Sequence, residues 1–164
     1  MKEKPFRIAI TGKGGSGKTS ITVLLAKALI ENRTTKLLLV DADPTHPHLC
    51  DMVDLNPHQT IEKIRKNLIQ SVYRNEKVLS KIAQDIDFEV YNAIQESKHF
   101  SLFSLGQPEG PGCFCPSNTI LRNVIDSISH DFDVVLIDCE AGLEQIHRQV
   151  LKSIHFLIIV VDLS

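Results

Sequence analysis

A chain of 164 residues, 43% of them hydrophobic, has the material for one hydrophobic core, and residues 1–164 are read as a single domain. Its 18 Lys and Arg against 20 Asp and Glu leave a net charge of −2, with no basic cluster beyond Lys63, Arg65 and Lys66, so nucleic acid is not expected as a partner. No apolar run approaches the ~18 residues of a membrane span, the opening MKEKPFRIAI is too short and too soon followed by glycine for a secretion leader, and four cysteines suit a reducing compartment. The expectation is a cytoplasmic protein with no membrane partner.

In chain order, Phe6 to Ile10 form an apolar run too short for a helix. Glycines follow, and then KTSITVLLAKALIEN, where Ile21, Leu24, Leu25, Ala28 and Leu29 recur at helical spacing. The pattern is strand, glycine loop, helix. Leu37 to Val40 make a second buried strand that breaks into Asp41, Asp43 and Pro44. Ile61, Ile64, Leu68 and Val72 predict one amphipathic helix, and Val78, Leu79, Ile82 and Ile86 a second. One of the two segments FEVYNAI and HFSLFSLG is expected to be the third strand. QPEGPGCFCP reads as a loop, after which Ser117 caps a helix carrying Ile120, Leu121, Val124, Ile125 and Ile128. FDVVLIDCEAG and IHFLIIVVDLS supply two further apolar strands. Strands apolar along their whole length, alternating with helices, predict an α/β fold with a mostly parallel, doubly wound sheet covered on both faces.

The stretch from Gly12 to Ser20, GKGGSGKTS, meets the phosphate-loop pattern of a P-loop NTPase where that pattern has physical meaning, after a strand and opening a helix. Gly12, Gly14, Gly15, Ser16 and Gly17 let the backbone curl with its N–H groups inward, and the helix starting near Lys18 adds its positive end. Lys18 is expected on the β- and γ-phosphates, Thr19 on Mg²⁺, and Ser20 within the same cradle. A Mg²⁺ site needs a second oxygen ligand from a neighbouring strand end, and Asp138 stands at such an end, where a carboxylate also serves as a plain cap or turn residue. Asp43 is the candidate for orienting the attacking water. Two lysines on one γ-phosphate repel, so Lys13 is expected to reach a nucleotide on a second subunit or to lie solvated at the surface.

At GKGGSGKTS the chain resembles the deviant Walker A motif of the MinD, ParA and nitrogenase iron protein superfamily. That resemblance implies a homodimer in which Lys13 contacts nucleotide across the interface. It also brings ATP as the nucleotide, since no residue here identifies the base.

Cys113 and Cys115 alternate in GCFCP, so in an extended segment both sulfurs point to one side. Two thiolates are an incomplete site for a soft metal, and a two-fold dimer makes four. The plainer alternative is a pair of buried fillers. The run GPGCFCPSNTILRNVID, with DFDVVLIDCEAGLEQIHRQVLKSIHFLIIVV after it, is similar to the CooC-type nickel-insertion ATPases that mature carbon monoxide dehydrogenase and to related acetyl-CoA synthase factors. The resemblance implies Ni²⁺ or Zn²⁺ shared by Cys113 and Cys115 of both subunits, ATP hydrolysis coupled to delivery, and a nickel enzyme as client. Lys13, Lys18, Thr19, Asp43 and Asp138 take the family's roles at matching motif positions.

Departures from that family pattern stand at THPHLC after DADP, and at Gln145, His147 and Gln149 beyond Asp138, with Arg148 retained. His46, His48 and Cys50 alternate, which reads either as an auxiliary metal site or as a solvated loop with one core cysteine. Cys139 is expected in the core. The resemblance also implies C-terminal strands and a base-recognition segment after Ser164, so the last apolar run is expected near a sheet edge. Three other readings compete: an iron–sulfur electron-transfer ATPase, which the cysteine spacing disfavours; a positioning ATPase; and a slow, degenerate nucleotide-binding subunit.

Overall fold

The apolar runs Ile8–Ile10, Leu37–Val40 and Val134–Ile137 become neighbouring strands of one sheet. The computed structural model describes residues 5–44, 48–64, 66, 89–106, 125–142 and 154–162. In chain order these include β1 (Phe6–Gly12), α1 (Lys18–Ile30), β2 (Leu37–Ala42), the short α2 (His48–Met52), β3 (Gln95–Glu96), β4 (Ser101–Ser104), a 3₁₀ turn (Ser129–Asp131), β5 (Val134–Cys139) and β6 (Phe156–Val160). Helical backbone also covers 61–64, 89–93 and 125–128. The sheet order is β3-β4-β2-β5-β1-β6, parallel throughout except for the antiparallel β3–β4 pair. This is the expected α/β P-loop architecture, with one antiparallel edge.

Period-two alternation divides the strands between two cores. Leu38, Val40, Val135, Ile137 and Phe103 face one side, where Ile61, Ile64, Val90 and Ile128 cover them. Leu37, Leu39, Leu136, Leu102 and Ile10 face the other, under α1 and α2. Every residue of β2 is buried. That explains a strand with no polar face, and each such leucine contributes about 2 kcal/mol of transfer free energy.

The third long strand is SLFS; the competing segment FEVYNAI is helical over 89–93, burying Val90 and Ala93. In α1 the fully buried positions are Lys18, Thr22 and Ala26, spaced by four, while Leu24 is 61% exposed and Ala28 is exposed. The buried stripe is therefore rotated from the purely apolar one, because two polar side chains turn inward toward the strand ends. Among the described residues β6 stands last in the sheet order, and its Phe156, Leu157 and Ile159 are exposed. Of the predicted helices, the one marked by Ile61 to Val72 is described and helical over 61–64 and the one from Ser117 to Ile128 over 125–128; the helix marked by Val78 to Ile86 lies outside the described residues.

Candidate functional site

β1 ends on Gly12 at a point where only glycine fits. Its φ is +148°, and a Cβ there would stand 2.1 Å from the Val160 carbonyl oxygen at the end of β6. The turn is clamped from the other side as well: Gly142 N–H donates to the Gly12 carbonyl at 3.0 Å, and the Thr11 hydroxyl donates to the Gly142 carbonyl. Gly15 and Gly17 take φ of +77° and +89°, a region that costs L-residues steric energy. Gly17 is the N-cap of α1, with no side chain capping it and no acidic residue in the first turn. The first-turn N–H groups thus lack intrahelical acceptors and carry the positive end of the helix dipole, which suits an anion.

Lys18 is buried, and its ammonium donates to the Lys13 carbonyl at 3.3 Å, which folds the charge back over the loop. Lys13 goes the other way. Its side chain is 64% exposed, and its Nζ lies 3.8 Å from Asp162 Oδ1, so the two lysines do not share one position.

β2 and β5 bring their carboxylates to the same edge. Asp138 is only 2% exposed; burial pushes its pKa up, while hydrogen bonds from Thr19 and Thr22 and the nearby Lys18 charge pull it down. The Thr22 hydroxyl lies 3.3 Å from Asp138 Oδ1 and 3.0 Å from the Lys18 carbonyl. Asp41 is the register partner of Asp138, and burial raises its carboxyl to about 7. Cys50 donates its S–H to Asp41 Oδ2 at 3.4 Å, and burial pushes the thiol up to about 12. Asp43 N–H donates to Asp41 Oδ1 at 3.3 Å, which orients the residue that follows the strand.

A cleft of about 510 Å³ opens in front of these groups, lined on one side by Gly15, Gly17, Lys18, Thr19 and Ser20. Asp43 and three residues of α2, His48, Asp51 and Met52, form the facing wall. The Ser16 hydroxyl is buried without a hydrogen-bond partner among the described residues. A buried hydroxyl still to be satisfied, open amides, Lys18, and the Thr19–Asp138 oxygen pair form a donor set that fits a phosphate chain with a hard divalent cation.

Every phosphate-loop residue named from the sequence, with Asp43 and Asp138, therefore gathers at one sheet edge. Cys113, Cys115 and Arg148 lie outside the described residues. Cys139 is buried on the opposite face from Asp138, as expected of a core residue, and burial raises its thiol to about 12. Of the alternating set, His46 lies outside the described residues; His48 and Cys50 sit on α2, where residues two apart diverge, and among the described residues no cluster of three or more ligands could hold a metal ion. Sequence reasoning missed Thr22, Asp51 and Met52. Thr22 left one trace, a polar residue four positions after Lys18.

A glycine cradle at the carboxyl end of a buried parallel strand, with a lysine and a threonine opening the next helix, defines a P-loop nucleotide-binding protein. The chain belongs to the AAA domain family, whose model matches residues 7–164, and within it to P-loop ATPases of the MinD/ParA kind. It is 37% identical over 158 residues to an ATP-binding protein of Methanocaldococcus jannaschii, a match covering 96% of this chain and 62% of that one. The chain thus spans less than two thirds of that relative's length. The carbon monoxide dehydrogenase accessory protein CooC of Rhodospirillum rubrum is 26% identical over 168 residues, covering 96% and 63%. Among solved structures, the cell division ATPase MinD of Pyrococcus furiosus superposes with a TM-score of 0.65 at 26% identity, covering 94% of this chain and 58% of that one.

Proposed function

We propose that this chain is the nucleotide-binding part of an ATP-hydrolysing homodimer that carries Ni²⁺ or Zn²⁺ to a nickel enzyme of the carbon monoxide dehydrogenase or acetyl-CoA synthase type. The observation that carries the ATPase half is the convergence of the open α1 amides, Lys18 and Thr19 on one cleft, with the buried Asp138 hydrogen-bonded to Thr19. The amides and Lys18 bind the phosphate oxygens, and Asp43 orients the water that adds to the γ-phosphorus as the bridging oxygen leaves with ADP. Thr19 and Asp138 are the residues that would hold Mg²⁺, which when bound neutralises charge on the β- and γ-phosphates. Lys13, exposed beside Asp162 and outside the lining of its own cleft, contacts a nucleotide on a second copy.

The cargo half rests on the likeness to CooC and on Cys113 and Cys115, two thiols that become four in a two-fold dimer. Elemental analysis of the purified protein, with its solution mass measured with and without a non-hydrolysable ATP analogue, tests both halves. One metal per nucleotide-dependent dimer is expected, lost in Cys113→Ala/Cys115→Ala while nucleotide binding persists. Metal retained at one per dimer in that double variant would overturn the ligand assignment. The likeness to MinD favours a second reading, a positioning ATPase without metal cargo. Under that reading the protein is metal-free and sediments with liposomes in an ATP-dependent way.

A further inference from the structure

We infer that a second cleft, at the far end of the strands from the phosphate loop, binds a small anionic molecule bearing phosphate or carboxylate groups. Its volume is about 480 Å³, close to the 510 Å³ of the nucleotide cleft and within the range of small-molecule sites. The turn after α1, the β3–β4 connection and the segment Asp131–Phe132 form its walls. Nucleotides in open parallel sheets bind beyond the carboxyl ends of the strands. This cleft lies instead beside Leu37 and Ser101, the first residues of β2 and β4, so it is separate from the nucleotide site.

Arg33, Lys36 and Lys98 line it, three cations from two segments distant in sequence, and none of the three forms an ion pair among the described residues. Two carboxylates, Glu96 and Asp131, also line it, so the cations outnumber the anions three to two. That excess of positive charge favours a bound anion, which accepts hydrogen bonds from the guanidinium and ammonium groups. Partly buried Phe100 and Phe132 give the cleft an apolar floor for the body of such a ligand.

The walls are held before any ligand arrives. Asn32 Oδ1 accepts the Thr34 hydroxyl at 2.9 Å, and Thr35 N–H donates to the Asn32 carbonyl at 3.0 Å, which shapes the turn carrying Arg33. Lys36 N–H donates to Asp133 Oδ2 at 2.8 Å, and Asp133 N–H returns to the Lys36 carbonyl at 2.9 Å. Ser97 N–H donates to the Phe100 carbonyl at 2.8 Å, closing the turn that carries Lys98. Backbone fixed in this way spares the ligand the cost of ordering its own site.

The test is backbone amide NMR of the protein saturated with Mg-ADP, titrated separately with inorganic pyrophosphate and with citrate. The site predicts saturable shifts at residues 33–36 and 97–101 with at least one probe, and the arm that responds identifies phosphate or carboxylate as the group recognised. Arg33→Gln/Lys98→Gln, two exposed positions whose replacement spares the core, should weaken that probe about tenfold, and Arg33→Lys should retain most of it. Shifts confined to residues 12–20, no shifts below about 10 mM of either probe, or equal affinity in the folded double variant would each overturn the assignment.

Discussion

Asp41 and Asp138 stand side by side as register partners on β2 and β5, both carboxyls buried, and the Asp138 charge adds to the burial that disfavours ionisation of Asp41. Two such groups at the carboxyl edge of a sheet are costly to the empty protein. The site gains from a cation what folding alone does not supply.

The first prediction concerns pH. The Asp41 carboxyl rises from 3.8 to about 7 through burial, with opposing hydrogen bonds from Cys50 and Asp43. Between about pH 4 and 7 the unfolded chain has released this proton and the folded chain retains it, so stability falls as pH rises through that window. In metal-free protein, urea denaturation should give a lower midpoint at pH 8 than at pH 5. Asp41→Asn should flatten the profile and raise stability at pH 8 by roughly 2–4 kcal/mol. A variant profile as steep as that of the parent would contradict this.

At Gly12, the Val160 carbonyl leaves no room for a methyl group. Gly12→Ala should cost about 3 kcal/mol or more, by prying the β1 end from β6 and distorting the phosphate loop. Thermal denaturation and nucleotide titration should both register the change.

Lys18 is the buried cation of the cleft. Lys18→Ala should weaken Mg-ATP binding by roughly 100-fold while far-UV circular dichroism stays unchanged, since a charge-assisted phosphate contact is worth about 3 kcal/mol. Isothermal titration measures the effect directly.

Lys13 separates binding from association. Lys13→Ala should leave the affinity of the single subunit for ADP within about threefold, because its side chain points away from its own cleft toward Asp162. Sedimentation with a non-hydrolysable analogue should show loss of the nucleotide-dependent dimer. An unchanged dimer would remove the trans role.

Thr22 supports Asp138 from behind. Thr22→Val keeps the shape and removes the hydroxyl, so the Mg²⁺ dependence of ATP binding should move to about tenfold higher concentration, with metal-free ADP binding unaffected. A Mg²⁺ titration of nucleotide affinity reads this out.

The chain by itself determined what is local. An apolar run, a loop dense in glycine and a helix opening on Lys18 and Thr19 have the same meaning in any fold, because φ above zero, open amides and a helix dipole arise within a dozen residues. Apolar strands likewise announced a buried parallel sheet. Tertiary structure decided what depends on residues far apart. Only strand register sets Asp41 against Asp138, and only burial in the assembled sheet raises the Asp41 carboxyl to about 7. Only packing against β5 explains why Thr22, not Leu24, faces inward, and only the crossing of α2 over the loop makes His48, Asp51 and Met52 a wall of the cleft. The helical spacing of α1 names a stripe but not its rotation. The rotation follows from the gain of satisfying a buried carboxylate, a term that exists only once two strands have met.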